Sequence, residues 1–205
     1  MKIKICGLNP TRDVQACIDL NVNFLGFVFY EKSPRNTDLK EISVLKRYNH
    51  KTSHYVSVCV DPADTFIREN ILGNFEYIQL HGSETRERVK EINKMGIKVI
   101  KAIKIKEQKD VALYKDYEDI ADLILFDSSS MEKSQSIPKD LLHKLPKGEK
   151  FGLAGAINLE NIQEYSQLGF DFLDLSSGLE RENLKGYKDH LKIKNFINKI
   201  NELKD

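Results

Sequence analysis

Eight short runs of β-branched and aromatic residues, spaced about 21 to 31 residues apart, govern what this chain can fold into. They are Ile3–Cys6, Phe24–Phe29, Tyr55–Val60, Tyr77–Leu80, Val99–Ile103, Leu123–Phe126, Phe151–Ala154 and Phe172–Leu175. Each is almost continuously apolar, the pattern of parallel strands covered on both faces. Charge-rich amphipathic stretches between them read as helices. Thr11–Leu20 sets Val14, Cys17 and Ile18 on one face, and Thr37–Tyr48 turns Leu39, Ile42 and Leu45 inward. Ser83–Lys94 and Leu159–Leu168 stop before Gly96 and Gly169, and Lys188–Leu203 turns Leu191, Ile193, Phe196, Ile197 and Ile200 inward. Weaker helical patterns follow Asp64, Glu107 and Ile137. This alternation predicts an α/β chain folded as a (β/α)8 barrel, one domain over residues 1–205, near the lower length limit for that architecture. A doubly wound open sheet is the competing arrangement.

The charge balance excludes several partners. The 32 Lys and Arg stand against 31 Asp and Glu, a formal net charge of +1, which gives no electrostatic case for nucleic acid or an anionic membrane. Three cysteines, Cys6, Cys17 and Cys59, form no paired spacing; they argue against a disulfide framework and fit a reducing compartment. No Cys-x-x-Cys or His-x-x-x-His spacing announces a metal site. A strand begins almost at once, without an apolar signal segment, and no apolar run approaches the ~18 residues of a membrane span. The expected location is the cytoplasm.

In such a barrel the chemistry sits at the C-terminal ends of the strands and in the loops that follow. That rule selects Cys6, Arg35, Asp61, His81 and Asp127 after strands one, two, three, four and six, Gly155 after strand seven, and Ser176, Ser177 and Gly178 after strand eight, with Asp174 just inside that last strand. Cys6 reads either as a small buried hydrophobe or as a base. As a base it must be a thiolate, with its pKa brought below ~8.5 by cations or a helix N-terminus. Asp127 closes an apolar strand; partial burial would raise its pKa and suit it to acid catalysis, and a turn cap is the plainer reading. Arg35, stiffened by Pro34, offers a fork for a carboxylate or phosphate, or is a solvated surface residue. His81 either lines the site or satisfies a carbonyl. Leu-Ala-Gly-Ala-Ile-Asn and Asp-Leu-Ser-Ser-Gly are each ordinary turns alone; in the last two barrel loops they favour a phosphate.

Taken together, Lys-Ile-Cys-Gly, Leu-Gly-Phe-Val-Phe with Lys-Ser-Pro-Arg, Gln-Leu-His-Gly, the Asp after strand six, Leu-Ala-Gly-x-Ile-Asn and Asp-Leu-Ser-Ser-Gly-Leu-Glu resemble the phosphoribosylanthranilate isomerase family, in order and over essentially the whole chain. The resemblance implies a TIM barrel of tryptophan biosynthesis, acting on a small-molecule phosphoribosyl substrate without cofactor or metal. It implies an Amadori rearrangement of N-(5-phosphoribosyl)anthranilate to 1-(2-carboxyphenylamino)-1-deoxyribulose 5-phosphate. By resemblance Asp127 is the general acid and Cys6 the general base, Arg35 holds the anthranilate carboxylate, His81 and Asp174 line the site, and Gly155, Ser176 and Ser177 bind the phosphate. Two departures bear on this. Ser128–Ser136 carries no glycine where the family has a glycine-rich closing loop, and Ala156 stands where a second Gly is usual. The alternatives are a catalytically weak phosphate-binding barrel, motivated by that loop, and a sister isomerase of phosphoribosyl imidazoles. The sister reading wants aspartates after strands one and five, and this chain has Cys6 and none.

Overall fold

A computed structural model describes residues 1–50, 52–128 and 136–203. The eight apolar runs form β1 (Lys2–Cys6), β2 (Phe24–Phe29), β3 (His54–Cys59), β4 (Tyr77–Leu80), β5 (Lys98–Ile105), β6 (Leu123–Ser128), β7 (Gly148–Ala154) and β8 (Phe170–Leu175). They pair in parallel, each with its sequence neighbours, and β1 closes on β8 through Ile5 opposite Leu175. The order excludes the open sheet.

Alternation along each strand divides the apolar residues into two layers. Ile3, Ile5, Leu25, Phe27, Ile78, Ile124 and Leu173 point outward into the core shared with the helices. Phe24, Val56, Tyr77, Ile100, Leu125 and Phe172 fill the barrel interior. Gly152 belongs to the interior layer because a Cβ there would enter the Phe172 ring, so the missing side chain is what lets that phenyl lie across the barrel.

The helices are shorter than the hydrophobic period predicts: α1 (Val14–Asp19), α2 (Ile42–Leu45), α3 (Asp64–Phe66), α4 (Arg86–Asn93), α5 (Lys139–Leu142), α6 (Ile162–Ser166) and α7 (His190–Glu202). The stretch after Glu107 is a 3-10 helix, Gln108–Asp116, and α3 runs into a π turn, Ile67–Ile71. Thr85 caps α4 through the Arg88 N–H, and Asp189 caps α7 through the N–H groups of Leu191 and Lys192.

Two residues expected inward are not. Leu191 is 66% exposed, because it sits two residues before Ile193 and on the far side of the stripe Ile193, Phe196, Ile197, Ile200. Leu39 is 44% exposed: it lies in the 3-10 turn Leu39–Glu41, so the helical period of Ile42 and Leu45 does not run back through it. Lys188 does not open the last helix. It ends a hairpin, β9 (Glu180–Arg181) and β10 (Leu184–Lys188), that the apolar pattern does not announce. The hairpin docks on the loop after β2, with Gly186 against the Pro34 carbonyl. Among the described residues no helix is long and apolar enough to cross a membrane.

Candidate active site

Every strand of a parallel barrel ends on the same face, so the residues selected by position meet there. Cys6 ends β1, beside Gly26 of β2 in the ladder, and is partly exposed. Asp127 lies inside β6 rather than after it, because the strand continues to Ser128. Its Oδ2 is 3.1 Å from His81 Nε2, and both side chains are about one-fifth open, at 20% and 21%. Asp174, on β8, lies within electrostatic reach of Asp127 and His81 and also of Lys4 and Cys6. Asp61 is occupied elsewhere: its carboxylate accepts from the Ser83 N–H, and its own N–H donates to Glu84.

Arg35 reaches this face already paired. Its Nε and Nη2 donate to Glu180 Oε1 and Oε2 at 2.6 and 3.0 Å, a bidentate pair from opposite ends of the chain. The side chain crosses directly over Gly7, where a Cβ would lie 2.5 Å from Arg35 Cδ. Glu180 also meets Lys188 Nζ at 3.3 Å, and that ammonium, fully buried, donates at 3.0 Å to the Ser176 carbonyl. The Ser176 hydroxyl donates to the Cys6 carbonyl at 3.1 Å, tying the loop after β8 to the end of β1. In the loop after β7, Gly155 has φ of 105° and Ala156 a φ of 51°. Ala156 therefore occupies the left-handed region that favours glycine, which explains why a second Gly suits this position. The two loops touch: a Cβ on Gly178 would lie 2.5 Å from the Ile157 carbonyl. Ser177 opens the 3-10 turn Ser177–Leu179. The glycine-free stretch after Asp127 falls, for residues 129–135, outside the described residues.

The electrostatics are dominated by pairing in a dry interior. Lys4 is fully buried, and its Nζ lies 2.7 Å from Asp174 Oδ2. Burial works against the ammonium, but Asp174 and Cys6 together outweigh it and hold Lys4 charged. Burial pushes the Asp174 carboxyl up, against the pull of Lys4. Burial also pushes the Cys6 thiol up; Lys4, Lys188 and Arg35 pull it back and Asp174 opposes them, leaving it above an ordinary thiol. The cations that a thiolate requires are thus present, yet they do not overcome desolvation. Glu180 is held below the usual carboxylate range, since Arg35 and Lys188 outweigh its burial. A polar cavity of about 150 Å³, lined by Gly7, Arg12, Arg35, Thr37 and Tyr187 among others, opens beside Arg35. A cavity of about 240 Å³ near His50, Tyr55 and Glu76 lies at the opposite end of the barrel, away from these groups. Among the described residues no group of three or more His, Cys, Asp or Glu is arranged to hold a metal ion.

Position in the barrel found Cys6, Arg35, His81, Asp127 and Asp174 but missed Lys4, Glu180 and Lys188. Lys4 had a signal: two residues before Cys6 on a strand, it shares the Cys6 face. Glu180 closes the Asp-Leu-Ser-Ser-Gly-Leu-Glu motif, which marked its place but not its partners, and Lys188 had no signal, being carried by an unannounced hairpin.

The model of the N-(5'-phosphoribosyl)anthranilate (PRA) isomerase family matches residues 3–199. An N-(5'-phosphoribosyl)anthranilate isomerase of Aquifex aeolicus is 34% identical over 209 residues, covering 96% of this chain and 97% of its own. That of Agrobacterium fabrum is 32% identical over 210 residues, covering 98% and 94%. The crystal structure of the Thermus thermophilus phosphoribosyl anthranilate isomerase superposes with a TM-score of 0.86 at 25% identity, covering 99% of this chain and 100% of that one. Another, in complex with reduced 1-(o-carboxyphenylamino)-1-deoxyribulose 5-phosphate, superposes with a TM-score of 0.81 at 26% identity, covering 98% and 99%. A shared eight-stranded barrel and a family match from the first strand to the last helix give one conclusion: this chain belongs to the N-(5'-phosphoribosyl)anthranilate isomerase family.

Proposed function

We propose that this isomerase converts N-(5-phosphoribosyl)anthranilate to 1-(2-carboxyphenylamino)-1-deoxyribulose 5-phosphate, a step of tryptophan biosynthesis, with Asp127 as general acid and Cys6 as general base. The observation that carries the reading is the common face: Cys6 at the mouth of β1 and Asp127 at the mouth of β6 flank Asp174, beside Arg35 and the touching loops after β7 and β8. The related structure with a reduced product analogue supports the substrate class.

The chemistry needs two proton transfers on opposite sides of a sugar. Asp127 gives its proton to the ribose ring oxygen; the C1–O bond breaks and the nitrogen lone pair forms the Schiff base. Cys6, as thiolate, removes the proton from C2, and the electron pair of that C–H bond neutralises the iminium as an enolamine, which then ketonises. His81, 3.1 Å from Asp127, orients the acid. Glu180 takes the Nε and Nη2 edge of Arg35, which leaves the Nη1 edge for the anthranilate carboxylate. Gly155, Ser176 and Ser177 hold the phosphate through the loops after β7 and β8.

Turnover of N-(5-phosphoribosyl)anthranilate by Cys6→Ala and Asp127→Asn tests the assignment. Each substitution abolishes turnover while the unfolding transition stays in position. Near wild-type rates in either variant would remove that residue's role, and failure of the wild-type gene to restore growth without tryptophan in a strain lacking the isomerase would remove the function.

A further inference from the structure

We propose that Lys4 is a positioning residue for this isomerisation: its ammonium, buried between the Asp174 carboxylate and the Cys6 sulfur, stabilises the thiolate of Cys6, and Asp174 sets how strongly it does so. The proposal rests on Cys6 being the base. Lys4 and Cys6 lie two residues apart on β1 and point to the same side, into the barrel. Gly26 of the neighbouring strand is the gap they share: a Cβ there would lie 3.2 Å from Lys4 Nζ and 3.3 Å from Cys6 Sγ. Lys4 Nζ bonds Asp174 Oδ2 at 2.7 Å, and the second carboxylate oxygen, Oδ1, is buried with no partner among the described residues.

A lysine used only to fill a barrel would be replaced without loss by an aliphatic side chain, and one used only to neutralise Asp174 would not need to face the thiol. The arrangement instead gives one buried cation two competing anions. While Cys6 is a thiol, Lys4 serves Asp174; when Cys6 loses its proton, the same ammonium faces a thiolate without moving out of the dry interior. An opposite charge at this range favours the charged form of its neighbour by about one pH unit or more. The charged and titratable groups around Cys6 are Lys4 on its own strand, Asp174 on β8, Lys188 on β10 and Arg35 in the loop after β2; Asp127 on β6 and His81 after β4 act in turn on Asp174.

The test is the pH profile of Cys6 alkylation by iodoacetamide, followed by mass in the full-length protein. Cys17 and Cys59 do not compete, since burial pushes each thiol up to about 12. Lys4→Met moves the alkylation midpoint up by at least one pH unit, a tenfold loss of thiolate at a fixed pH below it. Asp174→Asn moves it down, because Lys4 then has only Cys6 to serve. A profile in Lys4→Met that superimposes on wild type overturns the proposal, as does a midpoint in Asp174→Asn that stays or rises. If Lys4→Met loses its cooperative unfolding transition, the isosteric Asp174→Asn decides alone. An inactive Cys6→Ala enzyme with unmoved profiles removes the role of Lys4 only; an active Cys6→Ala enzyme removes the base itself.

Discussion

Glu180→Gln is the most informative perturbation of the fold beneath the site. The Glu180 side chain is 7% exposed and compensates two cations at once: Arg35, through bonds of 2.6 and 3.0 Å, and Lys188, fully buried and 3.3 Å away. The amide keeps one oxygen acceptor for an Arg35 N–H but turns its NH₂ toward the other donor, and Lys188 loses its counter-charge. Breaking a buried pair by removing one partner costs about 3–5 kcal/mol, and the retained acceptor sets the expectation at about 3 kcal/mol. For a chain of this size that is a fall in Tm of about 6–12 °C.

The effect also has a pH signature. Glu180 is held below the usual carboxylate range by Arg35 and Lys188. Its contribution is therefore fully present above the unfolded value of about 4.3 and is lost as pH falls through the lower folded value. Urea unfolding of wild type and variant should differ by the full amount at pH 7 and converge well below pH 4. A difference under about 1 kcal/mol at pH 7, or one that persists unchanged in acid, would refute the reasoning that this carboxylate stabilises the fold by compensating both cations.

Two further substitutions probe the backbone and the interior. Ala156→Gly should raise stability by about 0.5–1 kcal/mol in urea unfolding, because relief of a left-handed alanine at φ 51° outweighs the added chain entropy of glycine; a loss would show that the methyl packs usefully. Gly152→Ala should lower stability by about 3 kcal/mol in the same assay, since the new Cβ enters the space of the Phe172 ring in a filled layer; a neutral result would mean that the interior can yield there.

Much of the site was legible because barrel topology converts position along the chain into position in space. Once eight apolar runs are read as parallel strands, Cys6, His81, Asp127 and Asp174 must share a face, however far apart in sequence. The helices were legible in place but not in extent: the apolar period around Leu39 and Leu191 continued past the point where the backbone stops following it. The hairpin Glu180–Lys188 was illegible because its strands are short, charged and stabilised by docking on Pro34 rather than by an apolar period of their own.

The sequence by itself determined the eight strands and the residue types that end them, since these follow from local periodicity; the pairing of β1 with β8 that closes the barrel and rules out the open sheet came only with the tertiary structure. Only the tertiary structure, too, decided the charge state of the barrel mouth. Arg35 meets Glu180 across 145 residues and Lys4 meets Asp174 across 170, and no spacing encodes either encounter. The physical reason is desolvation: whether Cys6 is thiol or thiolate depends on how much water the closed barrel removes and which cations remain within reach, and both quantities exist only once the distant strands have met.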